Sequence, residues 1–129
     1  EPAIAELAAI NATEEDIKRI TYWDIQVDRD LARGDTKAHL ESDIEFHRAL
    51  SDACQNVVIS KLMPIITEGI QQFLSATNNG SSELARSLHH RIRNAIAAHD
   101  AAEAKQAMQE LLCVNQALLR QKNTEPSSS

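Results

Sequence analysis

Apolar residues recur every three or four positions along almost the whole chain, and that spacing admits helices and little else. The composition agrees. Gly and Pro number three each, aromatics are 3% of the chain, and Ala, Leu, Ile, Glu and Gln dominate. A chain of 129 residues is one domain's worth and can bury a core without disulfide or metal staples.

The punctuation places the helices. Residues 2–10 read as a first helix. Thr13 can cap a second, with Asp16 three residues on and acids at its positive end, and this helix buries Ile17, Ile20, Trp23, Val27 and Leu31. Gly34 stops it. Asp35 caps a third helix to about Gln55, with Leu40, Asp43, Ile44, His47, Leu50 and Cys54 inward. After Asn56 a fourth runs from Val57 to about Ser75, with Leu62, Ile65, Ile66, Ile70 and Phe73 inward and a kink at Pro64. Residues 77–82 are a loop. A fifth helix over about 82–98 turns Leu84, Leu88, Ile92 and Ile96 inward. His99-Asp100 breaks it, and Asp100 caps a sixth to about Lys122 that carries Ala104, Ala107, Met108, Leu111, Val114 and Leu118. The expected fold is an all-α antiparallel bundle of about six helices around a central ligand cavity, one domain over 1–123 with a frayed tail at 124–129.

Charge narrows the partners. The net charge is −6, and residues 1–45 hold 12 acids against 5 bases. Such a chain is a poor nucleic-acid binder by itself, because phosphate neutralisation needs clustered Lys and Arg. Cys54 and Cys113 lie far apart on apolar faces, which suits buried thiols in a reducing, cytoplasmic setting. No run is apolar enough to span a bilayer, and no signal peptide or lipidation motif is evident.

The chemistry sits on the inner faces. Asp43 and His47 are one turn apart on an otherwise apolar stripe, so they share a face and can bind one ion. Carboxylate and imidazole suit Zn, Ni, Mn or Fe. His89, beside Leu88 and Ile92, is the natural third ligand. The bland alternative is that Asp43 and His47 pair with each other, or that each interior His has a core hydrogen-bond partner. Arg93 lies one turn after His89 and can anchor a carboxylate or phosphate; its alternative is to reach the surface along its apolar stem. Asn115 interrupts the last helix's stripe and can line a cavity. Met108 reads as core packing. His90 points about 100° from His89 and reads as surface. His39 and His99 lie near helix ends and read as solvated. An enzyme would need a general base near His89, a nucleophile motif or a phosphate loop, and none is evident.

The ordered set of these features resembles the C-terminal effector-binding domain of GntR-superfamily transcription regulators of the FadR branch. The likeness runs from Glu1-Pro2 and Leu7-Ala8-Ala9 through Ala12-Thr13-Glu14-Glu15-Asp16 and Gly34-Asp35. It continues with Asp43-x-x-Phe46-His47-x-x-Leu50, Asn56, His89-x-x-Ile92-x-x-Ala95-Ile96, Asp100, Ala104 and Met108. The resemblance implies a helical bundle around a cavity, a homodimer and a small-molecule effector. It also implies a divalent metal (Zn, Ni or Mn) held by Asp43, His47, His89 and a third His. That third His is expected at position 111, where this chain has Leu111. The missing ligand weakens the metal's hold, and Arg93 stands where such domains carry an aliphatic residue. Arg93 is therefore expected to stand in partly for the metal as receiver of an organic acid, with Leu111 and Asn115 lining the pocket. Operator DNA would be bound by a winged helix-turn-helix domain that this chain lacks. The alternatives are a metal-free helical ligand-binding or protein-interaction module and, further off, a metal-dependent hydrolase.

Overall fold

The computed structural model describes residues 2–56, 58, 59, 61, 62, 65 and 83–124, with side chains described as far as Val114. It is all-helical among the described residues. The helices are α1 (Pro2–Asn11), α2 (Glu14–Ala32), α3 (Thr36–Ala53), α4 (Glu83–Ala97) and α5 (Ala101–Thr124). Residues 58, 59, 61, 62 and 65 are helical as well. The kink at Pro64, the inward Ile66, Ile70 and Phe73, the 77–82 loop and residues 125–129 of the tail lie outside the described residues.

The helix starts follow the capping residues. Thr13 Oγ1 accepts from the Asp16 N–H and the Asp16 carboxylate accepts from the Thr13 N–H, so two otherwise orphaned donors are satisfied at once. Asp35 accepts from the Ala38 N–H at 3.0 Å and Asp100 from the Glu103 N–H at 3.1 Å. The ends are equally defined. Gly34 (φ +70°) closes α2, its N–H reaching Leu31 O while Asp35 N–H reaches Asp30 O. His99 closes α4 in the same geometry at φ 55°, an unusual conformation for a residue with a Cβ. A bond of 2.9 Å between His99 Nδ1 and the Ala9 carbonyl ties this corner to the end of α1.

Among the described helices α1 lies in the interior of the bundle. It packs on α3, α4 and α5, while α2 packs on α3 and α4. Ala5, Ala8 and Ala9 are fully buried, and small side chains there let three helices close around α1. Around them lie Ile20, Phe46, Leu50, Ile92, Ile96, Met108 and Leu111. The Cys54 thiol, buried, donates to the Ile4 carbonyl at 3.0 Å.

Some expectations of burial fail. Leu62, Ile65 and Leu84 are exposed, and so is Cys113. Leu84, Leu88, Arg91, Cys113 and Val114 line an open groove of about 780 Å³ between α4 and α5, so Leu84 and Cys113 sit on the rim of the apolar stripe rather than inside it. A second groove, about 420 Å³, opens between α2 and α3 beside Trp23 and Ser42. Neither is lined by Asp43, His47 or His89. No helix among the described residues is long and apolar enough to cross a membrane.

Candidate metal and ligand site

α3 and α4 bring Asp43, His47 and His89 together. One ligand atom from each lies within 4.8 Å of the other two. Asp43 and His89 are buried, and His47 is nearly so. His89 is fixed by Phe46, whose ring stacks on it at 4.8 Å and 15°, and His47 meets it edge-on at 5.6 Å. The pairing of Asp43 with His47 is loose, Oδ2 to Nε2 at 3.9 Å, which is not a hydrogen bond.

Asp43 and His89 approach each other closely. Asp43 Oδ1 lies 3.5 Å from His89 Nδ1 and has no hydrogen-bond partner. His89 Nδ1 receives an N–H from Arg86 Nη1 at 2.8 Å, and since a guanidinium only donates, Nδ1 carries no proton. Two ligand-type atoms thus lie side by side in the interior, the nitrogen served by Arg86 and the oxygen by nothing, and a cation between them would relieve the oxygen. Burial pushes the Asp43 carboxyl above its usual range, opposed by His47, His39 and Arg86. Burial pushes His89 well below 6.5, helped by the positive fields of His47 and Arg86. His89 is thus neutral, as a metal ligand must be.

The unpartnered atoms form a row. His39 Nδ1, Asp43 Oδ1, His47 Nδ1 and Ser51 Oγ are buried without hydrogen-bond partners, and all four stand on α3 at intervals of four residues. Four-residue spacing stacks side chains along one ridge of a helix. The expectation of a solvated His39 is overturned: it is 6% exposed, and burial lowers its pKa despite the attraction of Asp43. It lies one turn inside α3, where the helix already turns its side chain onto α2 rather than to water.

Beside this row lies a cluster that sequence reasoning passed over. Asp24 on α2 is fully buried and accepts from Arg86 Nη2 at 2.7 Å. His90 Nδ1 stands 2.7 Å and Arg93 Nη1 3.0 Å from its other oxygen. Asp28, one turn on, meets Arg86 Nε at 2.7 Å and His90 Nε2 at 3.2 Å. Burial works against the Arg86 charge, but hydrogen bonds to Asp28 and Asp24 outweigh it and raise the pKa. His90, expected at the surface, is half-buried because Asp24 and Asp28 hold it. Arg93 is likewise held: its ion pair is with Asp24. Leu111 is buried in the core, and the side chain of Asn115 lies outside the described residues. The signal for this cluster was present as complementary spacing, Asp24 and Asp28 against Arg86, His90 and Arg93, but it links positions 58 or more residues apart.

The chain as a whole is similar to known proteins. The FCD domain family pattern matches residues 1–113. The HTH-type transcriptional regulator LutR of Bacillus subtilis (strain 168) is 31% identical over 115 residues, covering 84% of this chain and 52% of that protein. Among solved structures, Streptococcus agalactiae GntR superposes with a TM-score of 0.74 at 26% identity, over 90% of this chain and 52% of that one. The chain therefore spans about half the length of the relatives it matches. LutR is named as a transcriptional regulator, in line with the expectation of a regulatory rather than a catalytic domain.

Proposed function

Because the chain belongs to the FCD domain family of GntR-type transcription regulators, we propose that it is the sensing and dimerising part of such a regulator. In this reading it takes a small organic acid at Asp43, His47 and His89 with the help of a divalent metal. The carrying observation is the buried pair of ligand-type atoms, Asp43 Oδ1 and His89 Nδ1 at 3.5 Å, with His47 beside them. Imidazole and carboxylate donors suit Zn, Ni or Mn, and three protein donors leave coordination positions open. A metal bound there would supply a Lewis-acidic seat for a carboxylate oxygen. Leu111 offers no donor, so the hold rests on three side chains.

The family relatives are about twice as long, and the HTH-type name of one points to DNA binding elsewhere in the protein. In our reading a cytoplasmic dimer carries its operator-reading segments outside this chain. A ligand changes operator binding only if it favours one arrangement of the helices over another. The triad joins α3 to α4, and both pack on α1, so closure around a ligand has a direct path into the centre of the bundle.

The test is a Zn²⁺ titration followed by thermal melting, with metal analysis of the purified protein. A chelator-reversible stabilisation is expected, about 2.7 kcal/mol at a hundred-fold excess over Kd, and it should vanish in Asp43→Asn. Protein without metal whose melting is indifferent to Zn²⁺, Ni²⁺ and Mn²⁺ would refute the metal site.

A further inference from the structure

Arg86 spends its donors on two sites at once. Nε goes to Asp28 Oδ1, Nη2 to Asp24 Oδ1 and the Asp24 carbonyl, and Nη1 to His89 Nδ1. A guanidinium has five N–H groups, so four are committed by these contacts. Three hold the side chain to α2. The fourth occupies the lone pair of the His89 nitrogen that faces Asp43.

A metal taken by Asp43 and His89 through that nitrogen needs the same lone pair. One lone pair cannot serve both. Arg86 cannot swing away, because Asp24 and Asp28 anchor the rest of the guanidinium. Its Nη1 N–H would be left beside the site, buried and without an acceptor, which is unfavourable. A carboxylate oxygen of a metal-bound acid is the acceptor this geometry asks for.

The geometry points to Arg86 as a further binding determinant of this site: it competes with a metal for His89 Nδ1, and the N–H it releases receives a carboxylate that arrives with the metal. The inference rests on the site reading above and adds the side chain that receives the acid's carboxylate. Metal and carboxylate should bind cooperatively, each raising the other's affinity by the same factor. Arg93, its charge already at Asp24, is not required for this.

Calorimetric Zn²⁺ titrations in chloride and in acetate buffer test it, on the wild type, Arg86→Met and Arg91→Met. Arg91 carries a charge on the same helix but pairs with Glu103 and Glu110 on α5, so its variant controls for net charge. In the wild type, acetate should tighten Zn²⁺ binding about ten-fold. Arg86→Met should bind Zn²⁺ about ten-fold tighter than wild type in chloride and lose the acetate effect. Arg91→Met should follow the wild type. Should Arg86→Met be no tighter than wild type, or no tighter than Arg91→Met, the competition is disproved while the metal site stands. If no form binds Zn²⁺, both readings fall. A second measurement needs no variant. Long-range ¹H–¹⁵N spectra of the wild-type rings should show His89 protonated at Nε2 without metal and altered at Nδ1 with Zn²⁺. A His89 protonated at Nδ1 would overturn the proposal even if the Arg86 variant does not fold.

Discussion

Asp24 and Asp43 are buried to nearly the same depth, 0% and 2% exposed, and their surroundings have opposite character. Asp24 meets Arg86, His90 and Arg93, and every charge near it has a partner. Asp43 has an oxygen with no donor, in a row of α3 groups that also lack one. The first cluster is closed on itself and clasps α2 to α4. The second is open and sits at the acceptor side of α4. Burial alone does not distinguish structure from function here; satisfaction of the hydrogen-bonding groups does. A partnered buried charge holds the fold. An unpartnered row costs stability, and in the function proposed above a bound ligand offsets that cost.

The sharpest way to break this contrast is to remove Asp24. Asp24→Leu would leave Arg93 without its carboxylate and Arg86 and His90 with Asp28 alone. Loss of one partner from a buried ion cluster costs about 3–5 kcal/mol. Urea denaturation should show a loss of that size. A loss below about 1 kcal/mol would mean that Asp28 alone suffices and that the clasp is not what holds α2 to α4.

Acid should act next most strongly, and through the open cluster. Burial lowers the pKa of both His89 and His39, so each stays neutral in the fold when its unfolded counterpart takes a proton. Below about pH 6.5 the unfolded state then binds more protons, and stability falls by up to about 1.4 kcal/mol per pH unit for each histidine. Asp43 has the opposite sign. Its raised pKa favours the fold at low pH, and that contribution is lost as pH rises through the folded value. With two groups against one, metal-free protein should melt at lower temperature at pH 5 than at pH 7, and His39→Gln should flatten the slope. A flat profile in the wild type would show that His39 and His89 are not excluded from water as the structure has them.

Sequence legibility follows the same division. Caps are local, so Thr13, Gly34, Asp35 and Asp100 marked helix ends to within a residue or two. The triad was legible because two of its members share one helix face and the third interrupts an apolar stripe. Arg86 was not. On its own helix it is one of three arginines, and only Asp24 and Asp28, more than 50 residues away, make it interior. His39 misled for a related reason: nearness to a helix end says nothing about the helix packed over it. Leu84, Leu62 and Ile65 show the converse limit, since a stripe of apolar residues is wider than the face that is actually covered.

Asp43→Asn tests the open cluster directly, with a sign opposite to Asp24→Leu. The amide keeps the shape, removes a charge that burial disfavours and adds a donor that can reach His89 or His47. Thermal melting without metal should be unchanged or improved by about 1 kcal/mol, while the Zn²⁺ response disappears. Destabilisation on the scale of Asp24→Leu would place Asp43 among the structural charges and erase the contrast.

Ser51→Ala is the smallest and most discriminating change. Ser51 is 1% exposed, closes the α3 row, and its hydroxyl has no partner. Alanine favours the helix and buries no orphaned oxygen, so a gain of up to about 1 kcal/mol is expected. The hydroxyl stands one turn beyond His47, on the far side of the triad from His39. Ser51→Ala should stabilise the protein and leave Zn²⁺ affinity alone, because a hydroxyl one turn beyond His47 adds no donor to the three-residue set. A loss of stability would mean that Ser51 has a structural partner after all, and the row would then end at His47. The site would shrink to the triad, and the contrast with Asp24 would rest on one unpartnered carboxylate and two imidazoles rather than on a whole helix face.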